Sequence, residues 1–224
     1  IEGTGLRMIQ QMISWLPQLL NGAKITILLT LCAVSMGLLL SIFLALGKMS
    51  RNKILSGICS VYIFFFRGTP LLMQLYFIYF GLPQINMALT INSRFFAAFL
   101  AFSLNSAAYC SEFIRAAIQS IDRGQFEASK ALGLSKAQTM RLVIFPQSIR
   151  RLVPSVANEF IMVLKDASLV SIIALADLTK VTRAISSSTG TAMVYIPAMI
   201  IYLVMTAFFE FIFRRMETKF SRYE

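Results

Sequence analysis

Residues 25–47 form an uninterrupted stretch of 23 mostly apolar residues without one charged side chain. A helix needs about 20 such residues to cross the hydrocarbon core of a bilayer. The whole chain has the same character, since 57% of its 224 residues are hydrophobic and only 14% are charged. A soluble domain has about a quarter of its residues charged. The sequence therefore predicts an all-α polytopic membrane protein.

Five apolar segments lie along the chain, at about residues 22–46, 54–80, 95–118, 152–176 and 193–213. An odd number of spans places the two termini on opposite sides of the membrane. Lysine and arginine near the ends of spanning helices stay in the cytoplasm. Fourteen of them, including Arg222, follow the first and third segments or lie in the C-terminal tail, against five, including Arg7, on the other side. We therefore expect the N-terminus outside and the C-terminus inside.

The charged, cysteine and histidine content of the sequence argues against several classes of function. The net charge of +11 does not indicate a nucleic-acid partner, because the basic residues lie between apolar segments and not on one polar face. Cys32, Cys59 and Cys110 are widely spaced in apolar runs, so no disulfide framework or metal cluster is expected. The chain has no histidine, the commonest catalytic base. An aspartyl dyad of Asp166 and Asp177 would lie across the bilayer centre, so we do not expect an enzyme.

Two of the five segments are interrupted near their centres. The second contains the sequence "RGTP" at residues 67–70, where proline removes a backbone hydrogen bond. The fourth contains Lys165 and Asp166. Irregular or charged backbone at membrane depth persists only where protein buries it or where it lines a watery cavity. Alternatively, the fourth segment ends at Leu164 and the chain re-enters the membrane after the charges.

Residues 125–147, "QFEASKALGLSKAQTMRLVIFPQ", resemble two short soluble helices within a loop that the charge distribution places in the cytoplasm. Asp122 with Gln125, and Ser135 with Gln138, have the spacing of helix N-caps with a reciprocal partner. The pattern alone also fits an ordinary cytoplasmic loop with two helical turns.

The ends of these two helices follow from glycine and proline. The first helix is predicted to reach Leu132 and to stop at Gly133, which can adopt the left-handed conformation. The second is predicted to run from Lys136 to about Phe145, because Pro146 opposes continuation. Three apolar residues fall on one stripe of the second helix, namely Ala137, Met140 and Ile144.

Four stretches resemble the permease subunits of ATP-binding-cassette (ABC) importers, in the branch for polar amino acids such as histidine, glutamine, arginine and cystine. They are "EASKALG" followed by "FPQ", "FRGTPLLMQLYFIYFGLP", "SLNSAAYCSEFIRAAIQSIDRGQ" and "NEFIMVLKDASL". Ser129, Phe145 and Ala167 depart from the residues more usual in that family. The resemblance implies a type I importer permease fold, with residues 1–224 forming a single transmembrane domain and residues 122–147 forming the coupling loop.

The resemblance also implies the partners of the chain. Two ATPase subunits would bind ATP and Mg²⁺, since this chain lacks a "GxxxxGK[ST]" phosphate loop and needs no cofactor of its own. A second permease subunit, an extracytoplasmic binding protein, an amino-acid substrate and membrane lipid would complete the assembly in a bacterial cell membrane. The alternatives are a permease for another small polar solute, or a channel or scaffold without ATP coupling.

Two sets of candidate residues follow. The coupling set, which the resemblance places against the ATPase, is Glu127, Ala128, Ser129, Leu132, Gly133 and Ser135. The substrate set follows from the charges of a free amino acid, which is a zwitterion and needs a partner for its carboxylate and another for its ammonium group. Broken helices can supply such partners, because they present free backbone groups at the midplane of transporters. In that set the carboxylate partners are Arg67, Gly68 and Thr69, and the ammonium partners are Asp166 and Glu112. Alternatively, Glu112 pairs with Arg115, and Arg67 pairs with an acid such as Glu159.

Overall fold

The computed structural model describes the backbone of residues 2–221 and the side chains of residue 8 and residues 10–219. These residues are helical and contain no strand, which confirms the predicted all-α class. The side chains of Arg7 and Arg222, both counted in the orientation argument, lie outside the described residues.

Ten α-helices follow one another along the described chain. They are α1 (Glu2–Lys48), α2 (Lys53–Gly68), α3 (Leu71–Tyr76), α4 (Leu82–Ile85), α5 (Arg94–Gln119), α6 (Arg123–Ala131), α7 (Lys136–Thr139), α8 (Phe145–Asp166), α9 (Leu178–Thr189) and α10 (Tyr195–Ser221). Two π-helical segments, Phe77–Gly81 and Met140–Ile144, and two 3-10 segments, Met87–Leu89 and Ala167–Ile173, lie between them.

Two helical stretches, Gln10–Lys48 and Tyr195–Lys219, are long and apolar enough to cross a membrane. A third span is possible if Lys53–Gly68 and Leu71–Ile85 count as one, although the two are bent by 104°. The bend lies at the predicted "RGTP" interruption, because α2 ends at Gly68. The total of five spans stays a prediction.

Helix α8 does not end at Leu164, so that part of the predicted alternative is wrong, whereas re-entry of the chain after the charges stays a prediction. It continues to Asp166, and the chain then tightens into the 3-10 segment Ala167–Ile173. That segment ends at Ala174, whose φ of 58° lies in the left-handed region. The charged pair therefore occupies the last turn of α8, where the helix type changes.

The chain divides into two compact units. The first contains the chain up to Ala33 together with Leu71–Phe102 and Ile161–Phe209. The second contains Val34–Pro70, Ser103–Phe160 and the chain from Glu210 onward.

The first unit is held by close contact between α1 and the start of α9. A Cβ atom on Gly22 would lie 2.9 Å from the backbone oxygen of Asp177, so only glycine allows this approach. Thr26 accepts a hydrogen bond from the backbone N–H of Leu178 at 3.2 Å. The buried carboxylate of Asp177 caps α9 by accepting from the N–H groups of Thr179 and Lys180 at 2.9 Å.

The second unit has an apolar core that joins α1 and α5 to the predicted coupling loop. Five buried side chains form it, namely Ala45, Ile114, Ile118, Ile121 and Ile144. Phe126, Met140, Val143 and Leu152 pack against them. Gly37 lets α1 approach α5, since a Cβ there would lie 2.9 Å from that of Ser106. The loop helices are thus anchored to two of the apolar helices.

Candidate functional site

Helix α6 begins at the predicted cap. The Asp122 carboxylate accepts a hydrogen bond from the N–H of Gly124 at 2.7 Å. The side chain of Gln125 differs from its predicted role, because its oxygen accepts from the side-chain amide of Gln147 at 3.2 Å. This contact joins the start of α6 to the start of α8.

The turn between α6 and α7 depends on Gly133. Its φ is 76°, as predicted for a glycine that ends a helix. The N–H of Leu134 donates to the oxygen of Ser129 at 3.1 Å, and that of Gly133 donates to the oxygen of Lys130 at 3.0 Å. Two carbonyls in the last turn of α6 are thereby satisfied.

Helix α7 begins with the predicted capping box. The hydroxyl of Ser135 accepts from the N–H of Gln138 at 3.3 Å, and the Gln138 side chain accepts from the N–H of Ser135 at 2.9 Å.

The predicted end of the second loop helix near Phe145 is wrong. Helical backbone continues from α7 through the π-helical segment Met140–Ile144 into α8. The N–H of Phe145 donates to the oxygen of Met140, five residues earlier, which is the wider π-type turn. We attribute the continuation past Pro146 to this widening, which makes room for a ring that would clash in an α-turn.

Five of the six predicted coupling residues are exposed: Glu127, Ala128, Leu132, Gly133 and Ser135. Leu132 is 80% exposed although it is a large apolar residue. Ser129 is buried, and its hydroxyl donates to the oxygen of Gln125 at 2.6 Å. Ser129 therefore supports α6 from inside, while Glu127 and Ala128 lie on its exposed face. Leu132, Gly133 and Ser135 are exposed in the turn between α6 and α7.

The predicted apolar stripe of the second loop helix is correct in part. Ile144 is fully buried and Met140 packs against the same core. Ala137 is exposed, contrary to the prediction. Thr139 is buried in its place, because helical periodicity changes at the π-helical segment.

Glu112 is the centre of a polar cluster in the second unit. Its carboxylate lies 2.7 Å from the Lys48 ammonium and 2.7 Å from the Arg115 guanidinium. The guanidinium of Arg67 lies 3.9 Å away. The Glu112 side chain is only 13% exposed. The predicted contact between Glu112 and Arg115 is therefore present, and Lys48 and Arg67 also contact the same carboxylate.

Arg67 also stacks on an aromatic ring beside the broken end of α2. Its guanidinium carbon lies 5.3 Å from the ring centre of Tyr109. The Asn105 amide donates to the oxygen of Phe66 at 3.0 Å, and the Thr69 hydroxyl donates to the oxygen of Phe65 at 2.8 Å. These bonds satisfy carbonyls that the interruption would leave without intrahelical partners.

The predicted substrate residues do not all fall in one unit. Arg67, Gly68, Thr69 and Glu112 belong to the second unit, whereas Asp166 belongs to the first. Asp166 is half-buried at the last residue of α8.

Two members of the polar cluster were missed in the sequence. Lys48 is 64 positions from Glu112 in the sequence. Because Lys48 follows a long apolar run, the sequence indicates only that it flanks the cytoplasmic end of a membrane span. Tyr109 lies four positions after Asn105 in α5, within one of the stretches that carried the resemblance. Helical spacing on α5 could have suggested Tyr109.

The family described as "binding-protein-dependent transport system inner membrane component" matches residues 37–222. The chain belongs to this family. It is a multi-pass membrane protein and the permease component of an ABC importer, not an enzyme, because ATP is hydrolysed by separate subunits of such systems.

Individual relatives cover most of the chain. The arginine transport system permease protein ArtQ of Bacillus subtilis (strain 168) is 39% identical over 207 residues, which are 91% of this chain and 93% of that protein. The L-cystine transport system permease protein TcyB of the same strain is 37% identical over 212 residues, or 94% and 89% of the two chains.

Solved structures agree with the type I importer permease fold. One chain of a crystal structure of an amino acid ABC transporter with histidines superposes with a TM-score of 0.88 at 42% identity, covering 94% of this permease and 97% of that chain. A chain of the inward-facing MetNI methionine ABC transporter superposes with a TM-score of 0.78 at 19% identity, covering 93% and 99%. The latter supports the fold alone.

Proposed function

We propose that this permease moves a polar or charged amino acid across a bacterial plasma membrane, driven by ATPase subunits that dock on residues 122–147. The similarity to transport system permeases for arginine and L-cystine supports the substrate class. The observation that carries the coupling role is the exposed surface formed by α6 and the turn after it, where Leu132 is 80% exposed. The same loop is anchored in the core that contains residues of α1 and α5.

The rooted loop is suited to transmit force. Ile144 and Met140 pack against Ile114 and Ile118 of α5, so a displacement of the loop moves the cytoplasmic end of that helix. An ATPase that grips Glu127, Ala128 and Leu132 would hold the exposed side of the same loop. The ATPase would bind ATP and Mg²⁺, and this chain would need no cofactor.

The polar residues near the interruption of α2 supply the proposed substrate contacts. Arg67 is 43% exposed and its contact with Glu112 is the longest of the three, so its guanidinium can donate hydrogen bonds to a substrate carboxylate. Gly68 and Thr69 would add backbone and hydroxyl contacts. Glu112 is surrounded by cations, and we assign it to orienting Arg67 rather than to binding the ammonium. Asp166, which belongs to the first unit, stays a separate prediction for the ammonium contact.

The assembly we propose has two permease subunits, identical or different, two ATPase subunits and an extracytoplasmic binding protein. The five spans predicted for one chain are too few to enclose a path easily, which favours a path between two permeases. The test is purification with the neighbouring ATPase, followed by measurement of ATP hydrolysis with each amino acid and the binding protein. Stimulation by one polar amino acid supports the proposal, whereas stimulation only by another type of solute contradicts the substrate class. Failure of any ATPase to bind favours a channel or scaffold.

Substitution of Asp166 tests the ammonium contact. Asp166→Asn keeps the side-chain size and removes the charge, so the half-saturating substrate concentration of the reconstituted transporter should rise about tenfold, as for the loss of one charge-assisted hydrogen bond. Glu210→Gln is the matched control, because Glu210 is an exposed acidic residue of α10 that lies outside both the coupling loop and the proposed substrate contacts. An unchanged half-saturating concentration, or loss of assembly, would assign Asp166 a structural role.

A further inference from the structure

An apolar groove of about 290 Å³ lies in the second unit between three helices. Leu39, Ile42 and Leu46 of α1 form one wall, Ile114 and Ile118 of α5 form the floor, and Phe145 at the start of α8 forms the other wall. The floor belongs to the core that anchors the coupling loop. The groove is therefore a built feature of the unit and not a gap between loosely packed helices.

The groove is open along one side and offers nothing to a polar ligand. Leu39, Leu46 and Phe145 are 58%, 53% and 47% exposed. Ser148 is the polar side chain in its lining, and its hydroxyl already donates to the oxygen of Ile144 at 2.8 Å. The part of any occupant that enters the groove must therefore be hydrocarbon.

The directions of the three helices place the groove in the cytoplasmic half of the bilayer. With the N-terminus outside, α1 and α5 both approach the cytoplasm at their C-terminal ends, and α8 leaves it at its N-terminal end. Leu46 and Ile118 lie near the first two ends and Phe145 at the third. From Leu46 back to Leu38, the groove follows α1 for about 12 Å, since a helix rises about 1.5 Å per residue. This length fits within one leaflet, about half of a 30 Å hydrocarbon core.

Positive charge lies at the cytoplasmic end of the groove. Arg141 follows Met140, which lines the groove, and precedes Phe145 by about one helical turn. Arg141 is exposed and makes no ion pair among the side chains that the structure describes. Arg51 and Lys53, in the connection after α1, are also exposed. An occupant with a hydrocarbon tail and an anionic head at the membrane surface matches this arrangement.

We propose that the groove binds an acyl chain of an anionic phospholipid from the cytoplasmic leaflet, with Arg141 binding its phosphate. The bound lipid would lie against Ile114, Ile118 and Met140, the residues that join the coupling loop to α5. This inference rests on the proposed function, in which an ATPase docks on residues 122–147 and so places that loop in the cytoplasm, and it is independent of the transported solute.

Tryptophan reporters in the reconstituted transporter test the proposal. Trp15 is the single tryptophan of the chain, so the Trp15→Phe variant serves as the parent for all reporters. The fluorescence of this parent comes from the other subunits of the transporter and is subtracted from that of each reporter variant. Ile42→Trp places a reporter in the groove. Phe43→Trp is the matched control, because Phe43 is the adjacent residue, is 74% exposed and does not line the groove. The probes are vesicles that contain equal fractions of brominated phosphatidylglycerol or brominated phosphatidylcholine, which quench tryptophan on contact.

We expect brominated phosphatidylglycerol to associate about fivefold better than phosphatidylcholine at position 42, the preference expected for one basic residue at an anionic surface. The two lipids should quench position 43 equally, and Arg141→Gln should remove the preference at position 42. Equal quenching at position 42 by both lipids would overturn the anionic site, and protection from both would show that protein covers the groove. If Ile42→Trp fails to assemble, Leu39→Trp gives the same comparison. Because quenching needs no transport, a wrong substrate class would leave these results unchanged.

Discussion

At the level of single residues, Glu112 is the shared anionic partner of three cationic side chains. It is the one carboxylate beside Lys48, Arg67 and Arg115 in the described cluster, and its side chain is only 13% exposed. Glu112→Gln should therefore leave three cations close together without their shared anion. We expect a loss of about 1–2 kcal/mol in stability, less than for a fully buried ion pair, because the three cationic side chains are 27–43% exposed. Thermal unfolding of the purified transporter measures it.

Glu127→Gln is the control for this experiment. Glu127 is exposed on α6 and makes no ion pair among the described side chains, so its substitution should change stability by about 0.5 kcal/mol or less. Equal unfolding temperatures for the two variants would show that the cluster contributes nothing measurable to stability.

At the level of helices, the turn at Gly133 determines how α7 follows α6. No atom lies within 4 Å of a Cβ built on Gly133, so its constraint is the φ of 76° and not a lack of space. A β-branched residue in this conformation costs about 1–2 kcal/mol or more. Gly133→Val should therefore distort the turn, lower ATPase binding and reduce coupled transport at least about tenfold, with membrane insertion retained. Transport and ATP hydrolysis by the reconstituted complex measure the effect.

The matched control is Gly133→Asn, because asparagine tolerates the left-handed conformation better than other residues with a Cβ. It should retain most of the transport. Normal transport by the valine variant would refute the coupling role of this turn, and equal loss in both variants would mean that the glycine surface itself touches the ATPase.

For the whole molecule, the predicted orientation can be tested by the reactivity of single cysteines. With Cys32, Cys59 and Cys110 replaced by alanine, a cysteine at Asn92 should react with an impermeant maleimide in intact cells. Cysteines at Ser50 and Lys136 should react only after the membrane is made permeable, because basic flanks remain in the cytoplasm.

The alanine-substituted parent, which has no cysteine, sets the background of this labelling. Reaction at position 136 in intact cells would reverse the orientation. It would also remove the coupling loop from the cytoplasm and the lipid groove from the cytoplasmic leaflet.

The local features of this permease were predictable from its sequence. The break at residues 67–70, the cap at Asp122, the capping box of Ser135 and the left-handed Gly133 are confirmed. Each of these features depends on interactions within about four residues, so the neighbouring residues in the sequence are sufficient to predict it. The all-α class was also predictable, because a long uncharged apolar segment in a membrane must satisfy its backbone hydrogen bonds internally, and a helix does so.

Contacts between distant parts of the chain required the tertiary structure. Lys48 reaches Glu112 across 64 positions, and no local pattern in the sequence pairs them. The exposure of Ala137 and the continuation past Phe145 have a similar origin. The π-helical segment at Met140–Ile144 alters the periodicity on which a stripe prediction depends, while Ile144 is held in the core with α1 and α5. Packing among residues far apart in sequence thus determines which face of a helix is buried. The spacing of apolar residues along a single helix contains no information about those distant contacts.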